Sequence, residues 1–310
     1  MKTSFYSHGK LLITGEYLVL DGIKALAVPT KKGQWLTVQE NDTDTITWKS
    51  FDENENCWFE TNFEIKDQNI KPSLENNVST SPEVTETLIQ ILSSARELNP
   101  NFLSKQKGYV VETKLEFHRE WGLGSSSTLI NNIAQWAEVN AFSLLQNSFG
   151  GSGYDIACAQ YDTPILYKRS GDIPIIKNIE FNPTFRNNLF FVYLNQKQNS
   201  KESIQHYQSL SLKDFDKAEV AINEITNSIL DCAQIEEFEK LIDAHEEVIS
   251  KIIKTPTVKS RLFSDYPNSI KSLGGWGGDF ILVTGSLSDM EYFKNKEYHT
   301  IIPYSKMVLE

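Results

Sequence analysis

Residues 120–129 read Glu-Trp-Gly-Leu-Gly-Ser-Ser-Ser-Thr-Leu, a glycine and serine turn that leads directly into a helix-forming segment. Glycine lets the backbone come close to a ligand, and the free N–H groups at the start of a helix, aided by the helix dipole, favour an anion. The serine hydroxyls add hydrogen-bond donors and an oxygen that can bind magnesium. The stretch therefore predicts a phosphate site. An ordinary strand-to-helix turn with a serine N-cap has the same local sequence and stays open as the alternative.

The segments on both sides of this turn have regular apolar patterns. Tyr109–Thr113 is typical of a strand that leads toward the turn, and after it Leu129, Ile133, Trp136 and Ala137 fall on one face of a helix. Ser81-Pro82-Glu83 supplies an N-cap, a proline at the first helical position and an early acid, which predicts another helix there. The first forty residues alternate short apolar runs, including Tyr17–Leu20, with turns and indicate a β-rich opening.

The second half of the chain begins after a proline-containing segment, residues 169–188, which we interpret as a linker. The pattern then predicts strands at Leu189–Leu194, Phe280–Val283 and Thr300–Ile302, and helices near Glu202–Tyr207, Leu212–Leu230 and Ile235–Ile252. Because the strands and helices do not alternate regularly, the pattern favours the α+β class over a doubly wound sheet.

Composition limits the function. The chain has 310 residues, of which 40% are hydrophobic, and a formal charge of −11. The length and apolar content allow a sizeable core. The negative charge argues against nucleic acid as a partner, because proteins bind phosphate backbones through clustered lysine and arginine. No apolar run approaches the length of a membrane span, so we expect no membrane association and a cytoplasmic protein. The separated cysteines are interpreted as free thiols.

Four segments in this order resemble the motifs of the GHMP kinases, and the resemblance covers nearly the whole chain. They are Gly9–Gly22, Gly122–Ser127, Gly151–Asp155 and Gly275–Asp279. The first segment, with Gly9-Lys10 and Gly15-Glu16-Tyr17, is similar to the opening of mevalonate and phosphomevalonate kinases. The last segment ends in Gly278-Asp279, which is closer to the phosphomevalonate kinases.

The resemblance implies the GHMP kinase fold, an N-terminal mixed α/β domain (residues 1–180) followed by a ferredoxin-like C-terminal domain (residues 181–310). It further implies a cleft for ATP and substrate, with ATP and Mg²⁺ as cofactors. The partner would be a small acidic or phosphorylated acceptor, and a homodimer is left open.

The resemblance also assigns roles to individual residues. Phosphoryl transfer requires alignment and charge stabilisation, so Lys10 would stabilise developing charge and Asp155 would accept the acceptor's proton or orient Lys10. A solvated lysine at a strand start and an N-cap aspartate are the alternatives. The resemblance further implies that the ATP phosphates are bound by Gly122, Leu123, Gly124, Ser125, Ser126 and Ser127, and that Ser126 is the magnesium ligand.

The acceptor pocket is likewise assigned from the resemblance. Its residues would be Glu16, Tyr17, Ser152, Gly153, Lys197, Gly275 and Gly277. A buried tyrosine at a turn is the alternative for Tyr17. Lys197 and Lys201 could neutralise an acidic acceptor, but solvated loop lysines would give the same sequence.

The sequence departs from the family pattern in three ways. Ser127 and Thr128 stand where the family usually has alanines, and the segment 143–147 lacks the glutamate that binds metal in mevalonate kinases. Trp276 stands where a small residue is usual, and its ring would narrow the loop or stack on a ligand. We expect an ATP-dependent kinase that acts on phosphomevalonate or mevalonate. Homoserine or sugar kinases and an inert nucleotide-binding relative are the alternatives.

Overall fold

The computed structural model describes residues 2–66, 69–73, 81–104, 107–171, 173–210 and 215–309. The strands in chain order are β1 (Lys2–Leu12), β2 (Ala25–Asn41), β3 (Thr45–Phe51), β4 (Cys57–Lys66), β5 (Asn69–Pro72), β6 (Gly108–Leu115), β7 (Ile165–Lys168), β8 (Ile175–Asn178), β9 (Leu189–Tyr193), β10 (Ile270–Ser272), β11 (Phe280–Thr284) and β12 (Ile301–Pro303). Within these ranges no helix has both the length and the apolar character needed to cross a bilayer.

The helices lie mainly after the first group of strands. They are α1 (Pro82–Leu98), α2 (Ser125–Ala137), α3 (Ala141–Ser148), α4 (Tyr154–Gln160), α5 (Ser200–Ser209), α6 (Phe215–Asp231), α7 (Ile235–Ile253), α8 (Val258–Leu262), α9 (Glu291–Lys294) and α10 (Tyr304–Met307). Short 3₁₀ turns cover Leu18–Asp21, Arg119–Trp121 and Arg186–Asn188.

The described residues form two compact units that alternate along the sequence. The first unit contains Met1–Gly9, Lys32–Arg119 and Gly124–Gln160. The second unit contains Lys10–Lys31, Glu120–Leu123 and Tyr161–Glu310. The division at residues 180 and 181 stays a prediction.

In the first unit, a sheet has the strand order β5–β4–β3–β6–β2, with β2 pairing through Gln34–Asn41. The pair β3–β6 is parallel and the others are antiparallel. Along β3 every second residue is buried, as expected for a strand with one face on the core. Trp48 on that face packs with apolar residues of α1, α2 and α3.

In the second unit, an antiparallel sheet has the strand order β10–β11–β9–β12. Helices separate β9 from β10, and α9 separates β11 from β12, which is the connectivity of a ferredoxin-like fold. Every residue of β9 and β11 is buried, because helices and loops of this unit cover the sheet. In the same unit, residues 25–27 of β2 pair with β7, and β7 pairs with β8.

The expected α+β class is confirmed, as are the predicted strands of the second half and the helix that begins after Ser81. The predicted helix near Leu212–Leu230 corresponds to α6, although residues 211–214 lie outside the described part of the chain. Two expectations were wrong. Leu18–Asp21 forms a 3₁₀ turn closed by Gly22 in a left-handed conformation, and the expected linker contains strand β8.

Candidate active site

Lys10 is bound to the glycine loop within the second unit. Its Nζ donates a hydrogen bond of 2.9 Å to the carbonyl oxygen of Gly122, and its backbone N–H donates to the carbonyl of Leu123 at 3.0 Å. The end of β1 and the start of the loop are therefore joined by both backbone and side chain. This arrangement places a half-buried ammonium group at the first glycine of the predicted phosphate site.

Asp279 packs against the same glycine. A β-carbon at Gly122 would lie 2.3 Å from Cγ of Asp279, so only a residue without a side chain fits there. Oδ1 of Asp279 accepts the backbone N–H of Gln198 at 3.1 Å. Burial raises the pKa of Asp279, and the positive charges of Lys10 and Lys197 partly oppose that rise. No role was assigned to Asp279 from the sequence. Its only signal was the Gly-Asp pair that ends residues 274–279, which we call the third glycine cluster.

The third glycine cluster is tightly packed on the segment that follows β9. A β-carbon at Gly275 would lie 2.5 Å from Cγ of Gln198, and one at Gly278 would lie 2.5 Å from the carbonyl oxygen of Gln196. Gly277 has φ of +145°, which favours glycine. In the same region Lys197 forms a long, partly exposed ion pair of 3.8 Å with Glu120. The cluster therefore orders the loop that carries Lys197.

Trp276 lies inside the apolar core of the second unit. It is 4% exposed and packs in a cluster that includes Leu18, Tyr207 and Ile222. Among the described residues, its Nε1 has no hydrogen-bond partner. The large ring that departs from the family pattern is thus accommodated by the core beneath the loop.

Gly124 to Ser127 begin helix α2 in the first unit. Gly124 is the N-cap residue, with φ of +88°, and no side chain caps this helix start. The first N–H groups of a helix lack acceptors within the helix, so those of Ser125 and Ser126 are suited to an anion. The side chain of Ser126 is exposed and that of Ser127 is buried. The predicted phosphate ligands therefore have different surroundings.

Asp155 lies in the first turn of α4, after residues 150–153, which form the second glycine cluster. Gly151 and Gly153 have φ of +114° and +87°, and Ser152 between them is half-buried. Asp155 is half-buried, and its Oδ2 accepts a hydrogen bond of 2.5 Å from the hydroxyl of Ser127. Helices α2 and α4 of the first unit are thus joined at the two residues assigned to phosphate binding and to catalysis.

Glu16 belongs to a buried group of charged residues in the second unit. Nζ of Lys271 donates to Oε1 of Glu16 and lies 3.3 Å from Oε1 of Glu246. Nε2 of His245 lies 3.3 Å from Oε2 of Glu16 and accepts the N–H of Gly15 at 3.0 Å. The carboxylate of Glu16 is therefore paired with Lys271 inside the second unit. Its contact with an acceptor stays a prediction.

Burial dominates the ionisation of this group. It raises the pKa of Glu16 to about 7, although the positive charge of Lys271 opposes the rise. Burial also raises the pKa of Glu246. The pKa of His245 is well below its ordinary value because of burial and the positive charge of Lys271. His245 is therefore neutral at pH 7, and Glu16 is close to its titration point.

Tyr17 adjoins this group and has φ of +63°, which is unusual for a residue with a side chain. Its half-buried ring lies 5.4 Å from that of Tyr207, and burial raises its pKa to about 12. The phenol therefore stays protonated and can donate a hydrogen bond. Both a role in an acceptor pocket and the alternative of a packed tyrosine agree with this environment.

Comparison with solved structures identifies kinases that have this fold. Three of them are a mevalonate kinase from Methanococcus jannaschii, a phosphomevalonate kinase from Streptococcus pneumoniae in complex with phosphomevalonate and AMPPNP, and a galactokinase from Lactococcus lactis complexed with galactose. Their identities to this chain are 14%, 16% and 11%, and their TM-scores are 0.68, 0.67 and 0.67. The alignments cover 97%, 96% and 95% of this chain and 97%, 99% and 88% of the other chains.

These comparisons define the class of fold. The chain has the GHMP kinase fold, and the resemblance predicted from its four motifs is confirmed at that level. The neighbours named above are small-molecule kinases. Comparison by sequence gave no matching family model and no matching curated protein. The acceptor, the metal and the individual residue roles stay predictions.

Proposed function

We propose that this chain is an ATP- and magnesium-dependent kinase that transfers the γ-phosphoryl group to a small acidic acceptor, phosphomevalonate or mevalonate. The observation that supports it most directly is the hydrogen bond of 2.9 Å that fixes the Lys10 ammonium at Gly122, the first glycine of the predicted phosphate site. A cation fixed at this position can stabilise the negative charge that develops on the phosphoryl group during its transfer.

The residues around the glycine loop fit a nucleotide. Gly122 and Gly124 have positive φ, which suits glycine, and the start of α2 supplies backbone donors for an anion. The exposed hydroxyl of Ser126 would hold magnesium. When bound, magnesium neutralises charge on the phosphate oxygens. Among the described residues, no group of three or more acidic, histidine or cysteine side chains is arranged to hold a metal ion, so in this proposal Ser126 is the magnesium ligand that the chain supplies.

Lys10 and Asp155 have complementary roles in this proposal. The ammonium of Lys10 stabilises negative charge that develops during transfer. The carboxylate of Asp155 accepts the acceptor's proton or orients the acceptor. Both side chains are half-buried, which strengthens their electrostatic effect relative to water.

An acidic acceptor agrees with the lysines of the second unit. The backbone of Lys197 packs on Gly278 of the third glycine cluster, and its partly exposed ammonium would meet an anionic acceptor. Phosphomevalonate is favoured because the Gly278-Asp279 ending resembles the phosphomevalonate kinases and because one neighbour is a phosphomevalonate kinase solved with that compound. The homodimer and the cytoplasmic location also stay predictions.

The test is an assay of ADP release with purified protein, ATP and magnesium. The acceptors are phosphomevalonate, mevalonate, homoserine, galactose and a blank. We expect turnover with one of the first two compounds. Turnover with homoserine or galactose, but with neither mevalonate nor phosphomevalonate, would contradict the proposed acceptor. ATP binding without ADP release in the presence of any of these compounds would indicate a catalytically inert relative.

Two substitutions test the residue roles. Lys10→Met and Asp155→Asn should each lower kcat by about a hundredfold or more, with nucleotide affinity changed far less. Lys251→Met and Asp162→Asn are matched controls, because both side chains are exposed and lie outside the proposed site. Wild-type kcat in either test variant would contradict its assigned role.

A further inference from the structure

The hydroxyl of Ser127 is engaged by the proposed catalytic aspartate. Ser127 is the third residue of α2, is 5% exposed, and donates its hydrogen bond to Oδ2 of Asp155 at 2.5 Å. The other carboxylate oxygen, Oδ1, accepts the backbone N–H of Ile156 at 3.1 Å. Each oxygen of Asp155 therefore has a partner within the first unit.

A second side-chain contact joins the same two helices one turn further along α2. Nε2 of Gln160 donates to Oδ1 of Asn131 at 3.0 Å, and Nδ2 of Asn131 donates to the hydroxyl of Ser7 at 2.9 Å. Ser127 and Asn131 are four residues apart and so lie on the same face of α2. Because these contacts anchor α4 at both ends, they fix the orientation of the turn that carries Asp155.

A serine hydroxyl has a single proton to donate. In Ser127 that proton goes to Asp155, so the hydroxyl cannot at the same time donate to a phosphate oxygen, which offers only lone pairs. The backbone N–H of Ser127 at the start of α2 remains suited to an anion. The side chain of Ser127 thus differs from its exposed neighbour Ser126 in both burial and hydrogen bonding.

We propose that Ser127 is a positioning residue, whose hydroxyl holds the Asp155 carboxylate in the orientation needed for phosphoryl transfer and does not itself bind phosphate. The proposal rests on the function proposed above, in which Asp155 faces the acceptor. A carboxylate held by a hydrogen bond loses less rotational freedom when the acceptor binds, and small misplacements of a reacting group are costly.

The substitution Ser127→Ala removes the hydroxyl with little change in volume, and Ser127→Thr retains a hydroxyl. We expect kcat to fall about tenfold to a hundredfold in Ser127→Ala, as for loss of a hydrogen bond to a charged group, with ATP affinity kept within about twofold. Ser127→Thr should recover most of the kcat. Ser143→Ala is the matched control, because Ser143 is exposed on α3 of the same unit.

A double-mutant cycle separates positioning from phosphate binding. If Ser127 acts through Asp155, the Ser127→Ala change should have almost no effect on kcat in an Asp155→Asn background. Weakened ATP binding with unchanged kcat in Ser127→Ala would overturn the proposal in favour of a phosphate contact, and unchanged kinetics would also overturn it. If the wild-type protein turns over no acceptor, the proposed function itself fails, which is distinguishable because the wild-type control is then inactive.

Discussion

The carboxylate of Asp279 occupies the space beside Gly122 that a β-carbon would need. The added atom would lie 2.3 Å from Cγ and within 2.5 Å of both carboxylate oxygens. Gly122 also has φ of +66°, so both its conformation and its surroundings require glycine. This close approach links the first glycine of the predicted phosphate site to the last residue of the third glycine cluster.

Gly122→Ala should therefore lower the free energy of unfolding more than the same substitution at another glycine of similar φ. Gly150 is the matched control, because its φ is +69° and a β-carbon there meets nothing within 4 Å. We expect Gly150→Ala to cost about 1–2 kcal/mol of unfolding free energy for the left-handed conformation. Gly122→Ala should cost about 1–3 kcal/mol more through the clash. Urea denaturation measures both.

The clash can be tested by removing its second partner. In an Asp279→Ala background, Gly122→Ala should cost about as much as Gly150→Ala, because the three atoms nearest to the added β-carbon all belong to the carboxylate that is removed. Equal costs of Gly122→Ala with and without the Asp279 carboxylate would show that this side chain does not restrict position 122.

Lys271→Met should destabilise the second unit strongly. The ammonium of Lys271 is the cation between the buried carboxylates of Glu16 and Glu246, so its loss leaves them uncompensated. We expect a loss of about 3–5 kcal/mol in unfolding free energy. Lys251→Met is the control, because its ion pair with Glu247 is largely exposed and should contribute at most about 1 kcal/mol. A similar loss of unfolding free energy in Lys271→Met and Lys251→Met would contradict the assignment of Lys271 as the cation that compensates the two buried carboxylates.

The pH dependence of stability should contain a contribution from Glu16. The pKa of its carboxyl is about 7 in the folded chain and 4.5 in its ordinary state, so the folded chain binds this proton more tightly. The stabilisation is present below about pH 4.5 and is lost as the pH rises to about 7, a change of roughly 3 kcal/mol. His245 acts in the opposite direction, because its low folded pKa costs stability as the pH falls below 6.5.

Glu16→Gln isolates that contribution. The variant lacks the titrating carboxyl, so the wild-type free energy of unfolding minus that of Glu16→Gln should fall as the pH rises through this window. Urea denaturation at several pH values from about 4 to about 8 measures the difference. A difference that does not vary with pH would mean that Glu16 titrates as an ordinary carboxyl.

Trp276→Ala should act mainly on stability. Its buried ring packs with Leu18 and Tyr207, and loss of such a ring costs about 3–5 kcal/mol. Trp35→Ala is the control, because Trp35 is 41% exposed and its Nε1 donates to Glu116, so we expect a loss of about 1 kcal/mol. Unchanged stability together with weakened nucleotide or acceptor binding would instead indicate that the ring contacts a ligand.

Local sequence was sufficient to predict much of the secondary structure. The continuous apolar run at Leu189–Leu194 predicted β9. The start of α1 was predicted from Ser81, Pro82 and Glu83; Pro82 and Glu83 lie in its first turn, whereas Ser81 makes no side-chain cap. The apolar run before Asp21 was misread because it forms a 3₁₀ turn between Gly15 and Gly22, both with positive φ. A four-residue apolar run has the same composition in a short turn as in a strand.

The chain's own sequence thus determined the α+β class, the order of the glycine clusters and the loop chemistry, because periodicity, capping and glycine content act over a few residues. Only the tertiary structure decided which side chains meet. Glu16 and Lys271 are 255 residues apart, and the serine that faces Asp155 is 28 residues before it. Such contacts follow from the packing of whole helices and strands, and no local pattern in the sequence encodes the distance between their side chains.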